Sequence, residues 1–208
     1  MDLSHPAEAV VPSLDGDVLA VLARTTSPLT GREVARLSLR GSQSGVNAVL
    51  ARLVRHGLVQ VSTAGSANLY LLNRDHVAAP AVLALVDLRG QLFERVTQAM
   101  TSWQCPPVAA AVFGSAARGD GDTESDIDVF LVRPAELDPE AVQQWEKDVA
   151  GLAQAVRRWS GNPAGIVDVT AAQVRQMVSE QAPVTQSIRR DAVMLLGRHV
   201  LDAEGVGR

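Results

Sequence analysis

Two short apolar stretches, separated by a segment that opens with glycine and serine, constrain the fold of this chain more than any other feature. VAAAVF (108–113) and DIDVFLV (126–132) both have the composition of buried β-strands. Asp126 and Asp128 stand at i and i+2 of the second stretch, so in a strand their side chains leave the same face. Two adjacent carboxylates repel each other and are costly to bury unless a divalent cation neutralises them. The pattern therefore predicts a cation site at one edge of a sheet.

The turn between the strands supplies groups that suit a phosphate. Gly114 permits close approach of the backbone, and Ser115 offers a hydroxyl and an amide. A helix beginning at about Ala116 would direct its N-terminus at an anion. We expect a triphosphate to lie across this turn, with Mg²⁺ (or Mn²⁺) bridging it to Asp126 and Asp128.

A third carboxylate follows in the next predicted strand. After a predicted helix at about 138–159, the stretch GNPAGIVDVT (161–170) places Asp168 among Ile166, Val167 and Val169. A lone acid in an apolar strand is unfavourable without a partner. We therefore predict that Asp168 is the third metal ligand or the base that activates the nucleophile.

The pattern G-S-x-x-x-G followed by S-D-I-D resembles the minimal nucleotidyltransferases of the polymerase-beta-like superfamily. It is formed by Gly114, Ser115, Gly119, Ser125, Asp126, Ile127 and Asp128, and the likeness covers about 105–200. The resemblance implies a mixed sheet of four or five strands flanked by helices. It also implies transfer of a nucleoside monophosphate to a hydroxyl or phosphate, with release of pyrophosphate.

By the same resemblance, Asp168 matches the third family carboxylate in order and context, and Ser125 joins the nucleotide-binding residues. Arg118 is expected to hold phosphate, although a salt bridge to Asp120 or Asp122 is an equal alternative. Near the end, PVTQSIRRDAVMLLG (183–197) predicts a helix and a short strand. Its arginines, Arg189 and Arg190, are expected at a solvated helix end, and contact with the nucleotide or the acceptor is the alternative.

The N-terminal part has a different pattern. Apolar spacing predicts a helix over 15–23, and Thr30 with Glu33 forms a capping box that opens a second helix. A third helix is predicted over SQSGVNAVLARLVRHG (42–57), and LVQVS (58–62) with NLYLL (68–72) predicts a hairpin. This order resembles winged-helix transcriptional regulators.

The winged-helix resemblance implies DNA contacts from the third helix. The residues expected to reach bases are Ser42, Gln43, Ser44 and Asn47, and those expected to reach phosphates are Arg40, Arg52 and Arg55. Residues 20–74 carry seven arginines against one acid, Glu33, and the rest of the chain is acidic. Winged helices also serve as protein-docking modules, so a protein contact is the alternative. A module that reads a palindrome would favour a homodimer.

We therefore predict an α+β chain with a winged helix-turn-helix over 1–75, a connecting helix over 76–104 and a nucleotidyltransferase domain over 105–208. The connector contains VLALVDLRGQLFERVTQAM (82–100), which has the pattern of one long amphipathic helix. Gly90 is its weakest point.

Composition excludes several other classes of protein. No apolar run approaches the roughly 20 residues that span a bilayer, and the first residues lack the basic and apolar regions of a secretory signal. Cys105 is the single cysteine, which favours a reducing, cytoplasmic location.

The favoured function is transfer of a nucleoside monophosphate, from ATP in the first instance, to a hydroxyl of a partner protein or of the chain itself. Such a protein could belong to a toxin–antitoxin pair. One alternative is a DNA-binding regulator whose nucleotidyltransferase domain senses a nucleotide. Another is a toxin that modifies tRNA, which the acidic charge after residue 75 disfavours. Aminoglycoside modification is less favoured, since it has no evident need for a winged helix.

Overall fold

The computed structural model describes residues 1–38 and 40–201, and the chain divides into two compact units. One unit is His5–Leu88, and the other joins Met1–Ser4 to the chain from Arg89 onward. This division differs from the predicted domains, because the segment 76–104 is shared between the two units. The last seven residues of the predicted domain 105–208 lie outside the described residues.

The unit His5–Leu88 contains the predicted helices and hairpin. After a 3-10 turn at Pro6–Ala9, its elements are α1 (Leu14–Ala23), β1 (Leu29–Thr30), α2 (Gly31–Leu37), α3 (Gln43–Arg55), β2 (Val59–Ala64) and β3 (Ala67–Leu72). The strands form an antiparallel sheet in the order β1-β3-β2. The short strand β1, which pairs Leu29 with Tyr70, was not predicted. Val18, Leu22, Val34, Val46 and Leu50 are fully buried in the core.

Helix α2 begins at the predicted capping box. The amide of Glu33 donates to Thr30 Oγ1 over 3.2 Å, and the Thr30 amide donates to Glu33 Oε2 over 2.7 Å. Two backbone donors that the first turn would leave unpaired are thus satisfied by side chains. The sequence prediction of this helix start is confirmed.

The prediction of one long helix over 82–100 was wrong. The segment forms α4 (Ala79–Val86) and α5 (Leu88–Thr101), which are separated at Asp87 rather than at Gly90. Val82, Leu83 and Val86 of α4 pack against the core of His5–Leu88. The apolar side of α5 belongs to the other core, through Leu92, Phe93, Val96 and Met100. The two helices therefore pack into different cores. The apolar periodicity of the segment could not reveal this division.

The other unit is built on a four-stranded mixed sheet. Its remaining elements are β4 (Ala109–Phe113), α6 (Gly114–Arg118), β5 (Ile127–Arg133), α7 (Pro139–Ser160), β6 (Ala164–Thr170), α8 (Ala171–Ser179), α9 (Pro183–Asp191) and β7 (Val193–Leu196). The strand order is β6-β5-β4-β7, with β5 and β6 parallel and the other pairs antiparallel. Helix α8 was not predicted. The mixed α+β class and the sheet flanked by helices agree with the sequence prediction.

Each face of this sheet has its own core. Ile127, Val129 and Leu131 of β5 pack on one face with residues of α5 and α7, including Trp145. Phe113 of β4 with Phe130 and Val132 of β5 pack on the other face with α8 and α9. Because side chains alternate along a strand, even-numbered residues of β5 share the α8–α9 face. Among the described helices, none combines the length and the apolar character that crossing a membrane requires.

Candidate active site

The Gly-Ser turn follows directly from the end of β4 and lies against Asp128. Phe113, the last residue of β4, pairs with Asp128 in the antiparallel register. Gly114 then has φ +69°, and a Cβ at this position would lie 2.6 Å from Asp128 Oδ2. Both the left-handed backbone and the close approach of the carboxylate require glycine here. Ser115 is half-buried in the first turn of α6.

A second glycine lies on the opposite side of the same carboxylate. Gly165 of β6 is the parallel partner of Asp128, and a Cβ there would lie 2.9 Å from Asp128 Oδ1. The Asp128 carboxylate therefore lies between the backbones of two neighbouring strand segments. It stays accessible because neither neighbour carries a side chain.

The electrostatics of the pair favour a cation. Burial raises the pKa of Asp128, and the charge of the exposed Asp126 raises it further. Within residues 1–38 and 40–201, no group of three or more His, Cys, Asp and Glu side chains is arranged to hold a metal ion. Mg²⁺ is commonly held by one or two carboxylates together with substrate phosphates and water. Asp126 and Asp128 therefore fit a metal that arrives with a nucleotide.

The loop before Asp126 uses the hydroxyl of Ser125 internally. Ser125 Oγ donates to Asp122 Oδ1 over 2.7 Å and accepts from the Asp122 amide over 3.0 Å. The Ser125 hydroxyl, with the amide of Glu124, lowers the pKa of Asp122. Gly121 fits between Ser115 and Ser125, since a Cβ there would lie 3.2 Å from Ser115 Oγ and 3.4 Å from Ser125 Cβ. The loop thus packs against the Gly-Ser turn.

Asp168 does not lie with the pair, so this arrangement gives no support to its predicted role as third ligand or base. Its parallel partner in β5 is Leu131, so its side chain is on the α5–α7 face of the sheet, opposite to Asp128. There its carboxylate accepts from Arg133 Nε over 3.1 Å, from Arg133 Nη2, and from Trp145 Nε1 over 2.9 Å. The partners that a lone acid in an apolar strand requires are here an arginine and an indole.

Sequence reasoning missed Arg133 and Trp145 as partners of Asp168. Arg133 is an odd-numbered residue of β5, like Ile127, Val129 and Leu131. Because alternate side chains of a strand share a face, the sequence alone places Arg133 on the α5–α7 face. The parallel register that aligns β6 with β5 cannot be read from the sequence. That register decides on which face Asp168 lies.

Arg118 is held by two carboxylates rather than left free for phosphate. Its Nε donates to Asp120 over 2.9 Å, and its Nη1 donates to Asp191 of α9 over 2.7 Å. Arg190 donates to the same Asp191 carboxylate. Hydrogen bonds from Arg190 and Arg118 lower the pKa of Asp191 to about 2. The predicted salt bridge to Asp120 is present, and Asp191 is an additional partner that the sequence did not indicate.

The predicted DNA-contacting residues fall into two groups. Ser42 caps α3 by accepting from the Gly45 amide over 3.2 Å, and Ser42 and Ser44 share a hydrogen bond of 2.9 Å. Gln43 Nε2 donates to Asn47 Oδ1 over 3.1 Å on the exposed side of α3. Arg55 is also exposed and is the last residue of α3.

Arg40 and Arg52 are bound to acids of their own unit. Arg40 pairs with Glu8 and with Asp17, the latter at 2.9 Å, and Arg52 pairs with Asp15. The unit His5–Leu88 holds seven arginines and six acids, a net charge of +1. The strong basic character expected for residues 20–74 is therefore largely neutralised within the folded unit.

Comparison with known protein families gives a match that covers the paired aspartates and the Gly-Ser turn. Residues 95–160 match the family model described as "Nucleotidyltransferase domain". Neither the curated proteins nor the solved structures yield a match. The matched range includes Gly114, Ser115, Asp126 and Asp128 and ends before Asp168. This match, together with the mixed sheet and the paired aspartates, supports a nucleotidyltransferase domain in the second unit.

Proposed function

We propose that the chain is a metal-dependent nucleotidyltransferase that transfers a nucleoside monophosphate, in the first instance AMP from ATP, to a hydroxyl group. The observation that carries this proposal is the Asp128 carboxylate, placed beside Asp126 and between Gly114 and Gly165. A carboxylate with a raised pKa next to a second carboxylate gains most from a bound divalent cation. The family match over 95–160 supports the same chemistry.

Each residue has a distinct role in the proposal. Asp126 and Asp128 would hold Mg²⁺ or Mn²⁺, which supplies charge stabilisation for the triphosphate. The backbone at Gly114 and the hydroxyl of Ser115 would contact phosphate oxygens. Ser125 and Arg118 support the loop and α6, because their polar groups are already bound to Asp122 and to Asp120 and Asp191.

The transfer forms one bond and breaks one bond. The acceptor oxygen bonds to the α-phosphorus, the bond from that phosphorus to the β-phosphate oxygen breaks, and pyrophosphate leaves. The hydroxyl proton passes to solvent, since Asp168 lies on the other face of the sheet. The fixed backbone on both sides of Asp128 would keep the metal-binding oxygens in place during the transfer.

A protein hydroxyl is the acceptor that the charge distribution favours. The unit with the candidate site carries twelve Lys and Arg against seventeen Asp and Glu, a net charge of −5. A surface that binds tRNA is expected to be basic. A partner protein of a toxin–antitoxin pair, or this chain itself, therefore suits the site better than tRNA.

Labelling with each α-³²P nucleoside triphosphate tests the proposal. The purified protein is incubated with Mg²⁺ or Mn²⁺, alone and with cell lysate, beside Asp126→Ala and the control Glu146→Gln on the exposed side of α7. We expect label on a protein band with the wild type and the control but not with Asp126→Ala. Label on RNA would overturn the protein acceptor. Label in none of the reactions, with no nucleotide binding, would overturn the enzyme assignment.

A second activity, DNA binding by a winged helix, is favoured by the exposed side of α3. Gln43, Asn47 and Arg55 lie on this side with short neighbouring side chains, which suits insertion into a major groove. Since Arg52 is paired with Asp15, Arg55 is the better candidate for a phosphate contact. A dimer would follow if the DNA site is a palindrome.

Two arginine variants separate DNA contact from folding. We expect Arg55→Ala to weaken DNA binding. The slope of log binding constant against log salt concentration should become shallower by about one unit. Arg52→Ala should leave the slope unchanged and affect stability instead. DNA binding that is undetectable for the wild type at low salt would contradict this activity and favour a protein-docking role. In that case, the labelling experiment is unaffected.

A further inference from the structure

The chain turns inward immediately after α7 and buries one amide side chain. Gly161, with φ +82°, ends the helix and donates to the Arg157 carbonyl over 2.9 Å. The next residue, Asn162, is fully buried, at 0% exposure. A buried amide must find hydrogen-bond partners, so its partners show what it is there to hold.

The partners of Asn162 belong to the loop that precedes the aspartate pair. Its Nδ2 donates to the carbonyls of Asp122 and Ser125, each over 3.0 Å. Its Oδ1 accepts from the amino group of Met1 over 2.6 Å, and the backbone N–H of Asn162 donates to Ser160 Oγ over 3.1 Å. One side chain thus joins the end of α7 to both ends of the turn 122–125.

The same loop is fixed at two further points by the backbone. Pro163, next to Asn162, accepts from the amide of Ile127 over 2.8 Å, and Leu3 donates to the carbonyl of Gly121 over 2.8 Å. Asp126 lies between the Ser125 carbonyl that Asn162 holds and the Ile127 amide that Pro163 holds. The position of Asp126 relative to Asp128 is therefore set from the start of β6.

We propose that Asn162 is a positioning residue that holds the loop 121–126 so that Asp126 and Asp128 converge on one divalent cation. Its hydrogen bonds go to neither the aspartate side chains nor the Ser115 hydroxyl, and it acts through the carbonyls of Asp122 and Ser125. Because Gly121 and Ser125 pack against Ser115, the hydrogen bonds of Asn162 also set the distance between the loop and the Gly-Ser turn. This inference rests on the proposed function of the aspartate pair.

Two variants remove the hydrogen bonds of the Asn162 side chain to different degrees. Asn162→Leu keeps the approximate volume and removes both donors, and Asn162→Ser keeps one short donor in case the first variant does not fold. Thr185→Val is the matched control, because Thr185, in α9, is also fully buried and its hydroxyl donates over 2.7 Å to the Ala182 carbonyl and not to a residue of the loop. All three lose a buried hydrogen bond, so all three should unfold at lower temperature than the wild type.

The measurements are Mn²⁺ affinity by electron paramagnetic resonance and amide hydrogen exchange over residues 121–127, on the full chain. We expect Asn162→Leu to bind Mn²⁺ about tenfold more weakly, as is typical when groups that orient metal ligands are removed. Its loop amides should also exchange faster, with Thr185→Val matching the wild type in both readouts. If a labelling activity is present, we expect a raised KM for the metal–nucleotide and a smaller change in kcat.

The outcomes distinguish this inference from the proposed function. Mn²⁺ affinity and loop exchange in Asn162→Leu or Asn162→Ser that equal those of the wild type would overturn the positioning role alone. An equal loss of Mn²⁺ affinity in Thr185→Val would also overturn it, since the effect would then follow general destabilisation. A wild type that binds no Mn²⁺, with or without nucleotide, would overturn the proposed function and this inference together.

Discussion

Gly165 and Asp128 are parallel partners on β6 and β5, and a Cβ on Gly165 would lie 2.9 Å from Asp128 Oδ1. The glycine therefore determines how far the carboxylate can rotate and how much of it stays accessible. A third carboxylate at position 165 would collide with Asp128. On this face of the sheet, the proposed metal site of Asp126 and Asp128 would take its further ligands from the nucleotide and from water.

Replacing Gly165 with alanine should displace the Asp128 carboxylate. We expect about tenfold weaker Mn²⁺ binding, by the same reasoning as for other groups that orient a metal ligand. Gly151→Ala is the control, because a Cβ at that position of α7 meets no atom within 4 Å. The control should keep its Mn²⁺ affinity. Its free energy of unfolding should rise by about 0.8–1 kcal/mol, because alanine has a higher helix propensity than glycine. Titration of both variants with Mn²⁺ measures the difference, and equal affinities would contradict the close approach.

Neutralising Asp128 should stabilise the metal-free protein near neutral pH. The pKa of Asp128 is raised in the folded state, so the wild type loses stability as the pH rises through the interval between the unfolded and folded pKa values. Asp128→Asn does not titrate and avoids this loss. Its melting temperature in EDTA should exceed that of the wild type at pH 7. The difference should shrink below the ordinary aspartate pKa of about 3.9.

Added Mn²⁺ should reverse this order. A ligand that binds the folded wild type raises its melting temperature by mass action, and Asp128→Asn lacks one of the ligands. An Asp128→Asn protein that is less stable than the wild type in EDTA at pH 7 would show that burial and the repulsion from Asp126 do not govern this site.

Removing Asp168 should affect folding and not metal binding. Asp168→Ala leaves the Arg133 guanidinium and the Trp145 indole N–H without their shared acceptor. Losing hydrogen bonds to a partly buried charged group should lower the free energy of unfolding by about 2 kcal/mol. Denaturant unfolding measures this change, and Mn²⁺ affinity should equal that of the wild type. A folded Asp168→Ala protein that no longer binds Mn²⁺ would restore Asp168 as a metal ligand.

The pairing of Asp191 with two arginines should make α9 sensitive to acid. The pKa of Asp191 is about 2, so its contribution to stability is present above the unfolded value of about 3.9 and is lost as the pH falls toward 2. Asp191→Asn should therefore melt at a lower temperature than the wild type at pH 7, by a margin that narrows below pH about 4. Asp120→Asn is the control, since Asp120 is the more exposed partner of Arg118 and should have a smaller effect. A difference in melting temperature between Asp191→Asn and the wild type that does not change with pH would contradict the ion pairs.

Several local elements and the aspartate pair could be predicted from the sequence alone. The Thr30–Glu33 capping box, the apolar repeat of α3 and the i, i+2 spacing of Asp126 and Asp128 depend on neighbours along the chain. Such patterns can be read without knowing what packs against them. The glycine-serine pair that opens α6 was evident for the same reason, because a tight strand-to-helix turn restricts the residues that can form it.

The features that depend on strand register and on distant partners could not be predicted from the sequence. The parallel alignment of β6 with β5 places Gly165 beside Asp128 and Asp168 on the opposite face, and a shift of one residue would have exchanged the faces. Asp87 divides the predicted long helix because its two halves pack on different cores. Asp191 and Asn162 reach the site across 73 and 37 residues, to Arg118 and to Ser125. Contacts at such separations are set by packing, which spacing along the chain does not encode.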